Sequence, residues 1–286
     1  MEQPFARRSR RLSQAQTERR MLDAASELVN RIGLTVSLDH LSFEEIIHAA
    51  DVPRSAAYRR WPQKDLFIVD LVRRLAENAT PPTLVDDEVA LLTSIVGAHV
   101  EWLTTADGRQ RLLAELFRRL TVLDLDALSQ SPGWRTYIAL HATFVGLADG
   151  ELREQVRIEL AESERTHLAR MADSWERLSA LLGYRLRPGM GASFDSLVTL
   201  VSAILRGLAL MALASPQIAS HRTWATPFGA ENAQEWSLSA IGIASIASAH
   251  LEPDPDVVWD DVRAAALPAA LTAWTPSDPR REGLPR

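Results

Sequence analysis

Arg54, Ser55, Tyr58, Arg59 and Arg60 crowd one short span, and Lys64 follows four places later. An arginine guanidinium can fork onto the O6 and N7 of guanine, while hydroxyls and lysine suit phosphate oxygens. The span therefore has the side chains of a surface that grips and reads double-stranded DNA. The plain alternative is a solvated basic helix beside an acidic one. Ser42, with Glu45 three residues on, can cap a helix and turn its N–H groups toward a phosphate. Further upstream, Arg7, Arg8, Arg10 and Arg11 belong to a stretch of twenty residues holding six arginines and two glutamates. Such an arm can follow a phosphate backbone or enter a minor groove, or serve only as a solubility tail.

Two further sets concern partners other than DNA. Trp134, Tyr137, His141 and Phe144 recur at intervals of 3, 4 and 3, so they share one helix face. That face is either packed core or the lining of a cavity for a mostly hydrophobic small molecule, with His141 as its polar anchor. Trp102, Phe117 and Trp175 on neighbouring helices could complete such a cavity. Leu197, Val201, Ile204, Leu208 and Met211 step by 4, 3, 4 and 3, the spacing of a packing seam. The next helical segment, SLSAIGIASIASAH, includes Ile241, Ala244 and Ser245 and is rich in small residues that allow close helix approach.

Covalent chemistry has no comparable support. The chain has no cysteine, which excludes disulfides, thiolate nucleophiles and cysteine-ligated metal. It also lacks a His-Glu-x-x-His, a Gly-x-Ser-x-Gly and a phosphate loop. No catalytic residue, metal or cofactor is expected. A helical-bundle small-molecule binder or enzyme that never touches DNA stands as the rival reading, and it would need carboxylates clustered inward.

The elements that must position these residues read as helices throughout. The 286 residues are 47% hydrophobic and 24% charged, which suits about two globular domains. A net charge of −6 argues against a general polyanion binder, yet residues 1–80 are slightly basic and the remainder acidic. Leu22, Ala25, Val29 and Ile32 mark a first helix ending at Gly33. FEEIIHAA follows Ser42 as a short second helix, and RSAAYRR opens at Pro53 and stops before Pro62. A fourth helix runs from the Gln63-Lys64-Asp65 region to Pro81-Pro82. Beyond that, period-3.6 stripes place helices near 86–105, 109–129, 133–149, 151–182, 193–214 and 231–251, with another around 257–267 and a mobile end. No β-branched alternation stands out. The apolar run 197–214 carries Arg206 at its middle and reads as a buried helix rather than a membrane span. No apolar stretch follows the basic N-terminus as a secretory signal requires, so a cytoplasmic location is expected.

Helix, short helix, tight turn and basic short helix is the outline of a helix-turn-helix. The segment SFEEIIHAADVPRSAAYRRWPQKDLF goes further and resembles the N-terminal domain of the TetR family of bacterial transcriptional regulators. Ile46 and Ile47 stand at the family's Ile-Ala pair, Ala50 and Val52 flank the turn, and Tyr58, Trp61, Lys64 and Leu66 match its tyrosine, aromatic, lysine and apolar positions. Asp51 replaces the usual turn glycine, Pro53 the usual serine cap, and the stretch between Gly33 and Ile46 is about four residues long for the pattern.

The resemblance implies an all-α fold: a three-helix helix-turn-helix domain joined to a larger bundle that binds an effector and dimerises. The expected divisions are a basic arm at 1–16, the DNA-binding domain at 17–80, the effector and dimerisation domain at 81–252, and a C-terminal extension at 253–286. The resemblance assigns Tyr58 and Lys64 to phosphate contact and the last two bundle helices to a homodimer interface. A dimer would meet a pseudo-palindromic operator, and a small-molecule effector would release it, as a repressor works.

Overall fold

The computed structural model describes residues 12–32, 41–79 and 86–273. Those residues are overwhelmingly helical and divide into two compact units. One comprises 1–80 with 132–164, the other 81–131 with 165–286. Residues 1–11 of the expected basic arm, the stretch from Gly33 to His40, residues 80–85 and the C-terminal end from Trp274 lie outside the described residues, and α1 takes the arm's expected last three residues.

In the first unit, α1 (Gln14–Ile32), α2 (Phe43–Ala49), α3 (Arg54–Arg60) and α4 (Lys64–Ala79) form the head. α1 buries Leu22, Ala25 and Val29 of the stripe that its spacing predicts, with Met21 beside them. The Ser42 hydroxyl accepts from the Glu45 N–H at 3.3 Å and starts α2. Asp51 turns the chain with φ of 49°, a left-handed conformation that Asp tolerates better than most residues. Pro53, at φ −59°, then opens α3 without a side-chain cap. Ile46, Ile47, Val52, Ala57, Trp61, Phe67, Leu71 and Leu75 meet in one core. Phe43, Trp61 and Phe67 sit edge to face or tilted, with ring centres 5.1–6.5 Å apart.

α7 (Pro132–Gly146) packs on α4 in the same unit, joined by the part of α8 up to Glu164. Their Leu140, Val156 and Leu160 enter the head's core. Arg73 grips Glu159 through two hydrogen bonds of 2.6 and 2.8 Å. The boundary expected at residue 81 assigns this segment to the bundle instead; the apolar faces of α4 and α7 bring it to the head.

The second unit begins with α5 (Asp86–Ala98), a 3-10 turn (Val100–Thr104) and α6 (Ala106–Gln130). The remainder of α8 (Glu151–Leu181) follows, then α9 (Phe194–Ala214), the short α10 (Gln217–Ser220), α11 (Leu238–His250) and α12 (Asp261–Ala273). Two antiparallel clips fasten the bundle: β1 (Tyr184–Leu186) with β4 (Leu251–Pro253), and β2 (Arg222–Ala225) with β3 (Gln234–Ser237). Their three or four residues are too few to show alternation, and the second clip takes the first turns of the helix expected from residue 231.

α9 is long and apolar enough to cross a membrane by length and composition, but it is not the fully buried helix expected. Leu197, Val198, Val201 and Ser202 face the core, whereas Leu200, Leu210, Met211 and Leu213 face out.

Candidate nucleic-acid interface

α3 sorts its side chains by face. Ala56 and Ala57 are buried in the head core, and Arg54, Ser55, Tyr58 and Arg59 stand exposed on the other side. The sorting follows from a seven-residue helix pinned between Pro53 and Pro62, whose apolar positions can reach Trp61 and α1 in one orientation only. Lys64, the first residue of α4, is half-buried beside this surface, and Ser42 marks the start of α2. Four of the seven residues named from the sequence, Arg54, Ser55, Tyr58 and Arg59, thus form one exposed face of α3.

Arg60 is the exception on this helix. Its guanidinium reaches Glu18 and Asp70, each at 2.8 Å, and lies 4.9 Å over the Trp61 ring. Asp70 also accepts the Trp61 indole N–H at 2.8 Å and a hydrogen bond from Arg73. The Glu18 carboxylate raises the Arg60 pKa further, so its charge is fixed and spent inside the head. Arg60 therefore holds α3 to α1 and α4 and does not belong to the DNA-facing set.

Glu44, at the start of α2, was not among the expected residues. Its Oε2 accepts from Arg54 Nε at 2.7 Å and lies 2.5 Å from Nη2 in an ion pair, and its Oε1 accepts from the Tyr58 hydroxyl at 2.7 Å. Those bonds, first from Tyr58 and then from Arg54, hold the Glu44 pKa below the ordinary carboxylate value, while the same contact raises that of Tyr58. The Tyr58 ring also meets the Phe43 ring edge-on at 5.4 Å. The only sequence signal was an acid in the first turn of the helix preceding the turn. Arg59, by contrast, has no ion pair among the described residues, which leaves its donors available.

The expected effector residues do not form one site. Trp134 is buried, Tyr137 and Phe144 pack against the head core, the Trp134 and Tyr137 rings stack at 5.4 Å, and the His141 ring lies tilted 4.0 Å from Tyr137. His141 Nδ1 lies 2.9 Å from the Tyr137 carbonyl. This face is core, and its place in the effector set is corrected accordingly: helical spacing gives the stripe, but only the partner helix α4 decides what covers it. Trp102 stacks on His99 at 3.9 Å and is not on the wall of the cavity that Phe117 and Trp175 line.

Phe117 and Trp175 do line a cavity. It lies wholly within the second unit, encloses about 350 Å³ and is walled by α5, α6, α8, α9 and α11. Leucines dominate it, with the Phe117 and Trp175 rings stacked at 6.1 Å on one side. Its polar residues include His167, Ser174, Ser202, Tyr184 and Arg206. Ser174 is 2% exposed and its hydroxyl has no hydrogen-bond partner. Burial pushes the Tyr184 phenol up to about 12, so it stays protonated and able to donate at working pH. His167 and Ser174 interrupt an apolar stripe on α8, and that interruption was the available sequence signal. No group of three His, Cys, Asp or Glu side chains suited to a metal occurs among the described residues.

The seam residues divide as well. Leu197, Val201 and Ala244 are buried within the single chain and cannot reach a partner; Ile204, Leu208 and Ile241 are half-buried, and Ser245 is exposed. Close approach of small residues is used inside the subunit, where a Cβ on Gly242 would come within 3.1 Å of Ile204.

What the fold and this surface define is an all-α chain with an N-terminal helix-turn-helix head. No family model matches the chain, and no curated protein does. Among solved structures it is similar to a protein assigned to the TetR family of transcriptional regulators, from Mesorhizobium loti, at 15% identity and a TM-score of 0.42 over 91% of this chain and 98% of that one. It is also similar to SmeT in its complex with triclosan, at 17% identity and a TM-score of 0.39 over 85% and 94%. Both likenesses are distant, and what this chain can do follows from its own residues.

For the head, Lys64→Ala should weaken binding to every duplex alike and lower the salt slope of log K by about 0.9. Fluorescence anisotropy over a salt series checks this, and an unchanged slope would remove Lys64 from the interface.

Proposed function

We propose that the chain is a ligand-responsive transcriptional repressor that binds DNA through α3 as a homodimer. The observation that carries this reading is the exposed Arg54, Ser55, Tyr58, Arg59 face on a short helix set by the Asp51 turn. Arginine and tyrosine on such a helix fit the major groove, where Arg54 and Arg59 can read guanine while Tyr58 and Lys64 meet phosphates. Two heads related by a dimer axis would then span half-sites about 34–36 Å apart on a pseudo-palindrome.

The cavity supports the effector half of the reading. Its size and its mostly apolar wall suit a drug-sized hydrophobic molecule, and the unsatisfied Ser174 hydroxyl offers an oriented hydrogen bond. An effector releases DNA only to the extent that it binds the DNA-free arrangement more tightly than the DNA-bound one. Selection of duplexes from a random pool, followed by anisotropy on the winner, tests the reading directly. Failure to enrich any sequence would favour the rival, a bundle that binds small molecules without DNA.

The outward face of α9 supports dimerisation. Leu200, Leu210, Met211 and Leu213 are each between 43% and 62% exposed in the single chain, on one helix. Apolar side chains grouped in this way mark a surface to be covered. Met211→Glu is expected to convert a sedimenting dimer into a folded monomer at micromolar concentration. A variant that remains dimeric would place the interface elsewhere.

A further inference from the structure

Glu44 is a costly residue to keep on a surface that faces a polyanion. It pairs with Arg54, which leaves Arg59 as the arginine on the exposed side of α3 whose charge no carboxylate offsets among the described residues. Both Glu44 carboxylate oxygens are engaged: one takes a hydrogen bond from Arg54 Nε and an ion-pair contact from Nη2, and the other takes the Tyr58 hydroxyl. Arg54 and Tyr58 are four residues apart, one above the other on the exposed side of α3. A single acid from the neighbouring helix therefore ties together an arginine and a tyrosine on the exposed side of α3. The Phe43 ring against Tyr58 closes the cluster from behind.

An unrestrained arginine adapts to the nearest phosphate, because its long side chain has many rotamers and the phosphate backbone is everywhere. An arginine held by a carboxylate on one edge of its guanidinium keeps fewer orientations and presents its remaining N–H groups in a fixed fork. That fork suits the bidentate geometry of guanine O6 and N7. We propose that Glu44 is a positioning residue for sequence readout, holding Arg54 and Tyr58 so that the head gives up affinity for DNA in general and gains discrimination among sequences. This rests on the reading of the head as a DNA-binding element. The carboxylate itself need not touch a base; it works through the guanidinium and phenol that it clamps.

The test uses the full chain and two duplexes, the sequence enriched from a random pool and a scrambled version of it, with affinities measured over a salt series. In Glu44→Ala, affinity for the scrambled duplex should rise about tenfold, with a salt slope steeper by about 0.9, as the released Arg54 takes a phosphate. The ratio of the two affinities should fall about fivefold or more. Because Glu44 acts through Arg54, the Glu44→Ala, Arg54→Ala double variant should have the same ratio as Arg54→Ala alone. Selective wild-type binding with an unchanged ratio in Glu44→Ala, or losses that add in the double variant, would overturn the positioning role and leave the regulator reading standing. A wild-type chain that binds both duplexes equally, or neither, overturns both.

Discussion

Trp61→Ala should destabilise the N-terminal unit by about 3–5 kcal/mol and abolish sequence-selective DNA binding. The indole is completely buried, packs against Phe43 and Phe67 and donates to Asp70 at 2.8 Å. It also supports the guanidinium of Arg60, which ties α3 to α1 and α4. Removing it opens a large void at the C-terminal end of the reading helix, which has too few turns to persist without tertiary support. Chemical denaturation followed by circular dichroism measures the loss. Trp61→Phe should recover most of it, since a ring is kept and only the hydrogen bond to Asp70 is removed. A Trp61→Ala protein with native stability would show that the head is held by something other than this aromatic cluster.

Trp134→Ala and Phe117→Ala should part company. Trp134 is 3% exposed and stacked on Tyr137 in the head unit, so truncation should cost about 3–5 kcal/mol through lost burial and a new cavity. Phe117 already borders empty space, so fewer contacts are lost on truncation and the cost should be distinctly smaller. Its removal should instead widen the cavity and change the affinity for hydrophobic ligands. Denaturant midpoints for the two variants decide the matter. Equal losses at both positions would mean that Phe117 is packed as tightly as Trp134 and that the cavity does not extend to it.

The head was legible in the sequence because its signals are local. Pro53 and Pro62 bracket α3, Ser42 caps α2, and Asp51 takes the left-handed turn, each through a property of one residue and its immediate neighbours. The inward turn of Arg60 was not legible, since it depends on Glu18 and Asp70, forty-two and ten positions away. The Glu44 clamp escaped notice for the same reason: whether an acid on one helix meets an arginine on the next depends on the angle of the turn between them. The aromatic stripe of α7 was found correctly as a stripe, but periodicity does not show whether its cover is another helix or a ligand. The seam of α9 divided likewise, because Leu197 and Val201 share their helix with Met211 but not their neighbours.

The position of Trp175 gives the protein an optical property of its own. Among the tryptophans of the described residues, it alone stands on the cavity wall; Trp61, Trp134 and Trp236 are buried elsewhere, and Trp224 lies on the surface. A molecule entering the cavity changes the polarity around one indole and leaves the emission of the others as a constant background. Occupancy can therefore be followed in the unlabelled chain by ultraviolet fluorescence, with Trp175→Phe as its blank, independently of whether DNA is present.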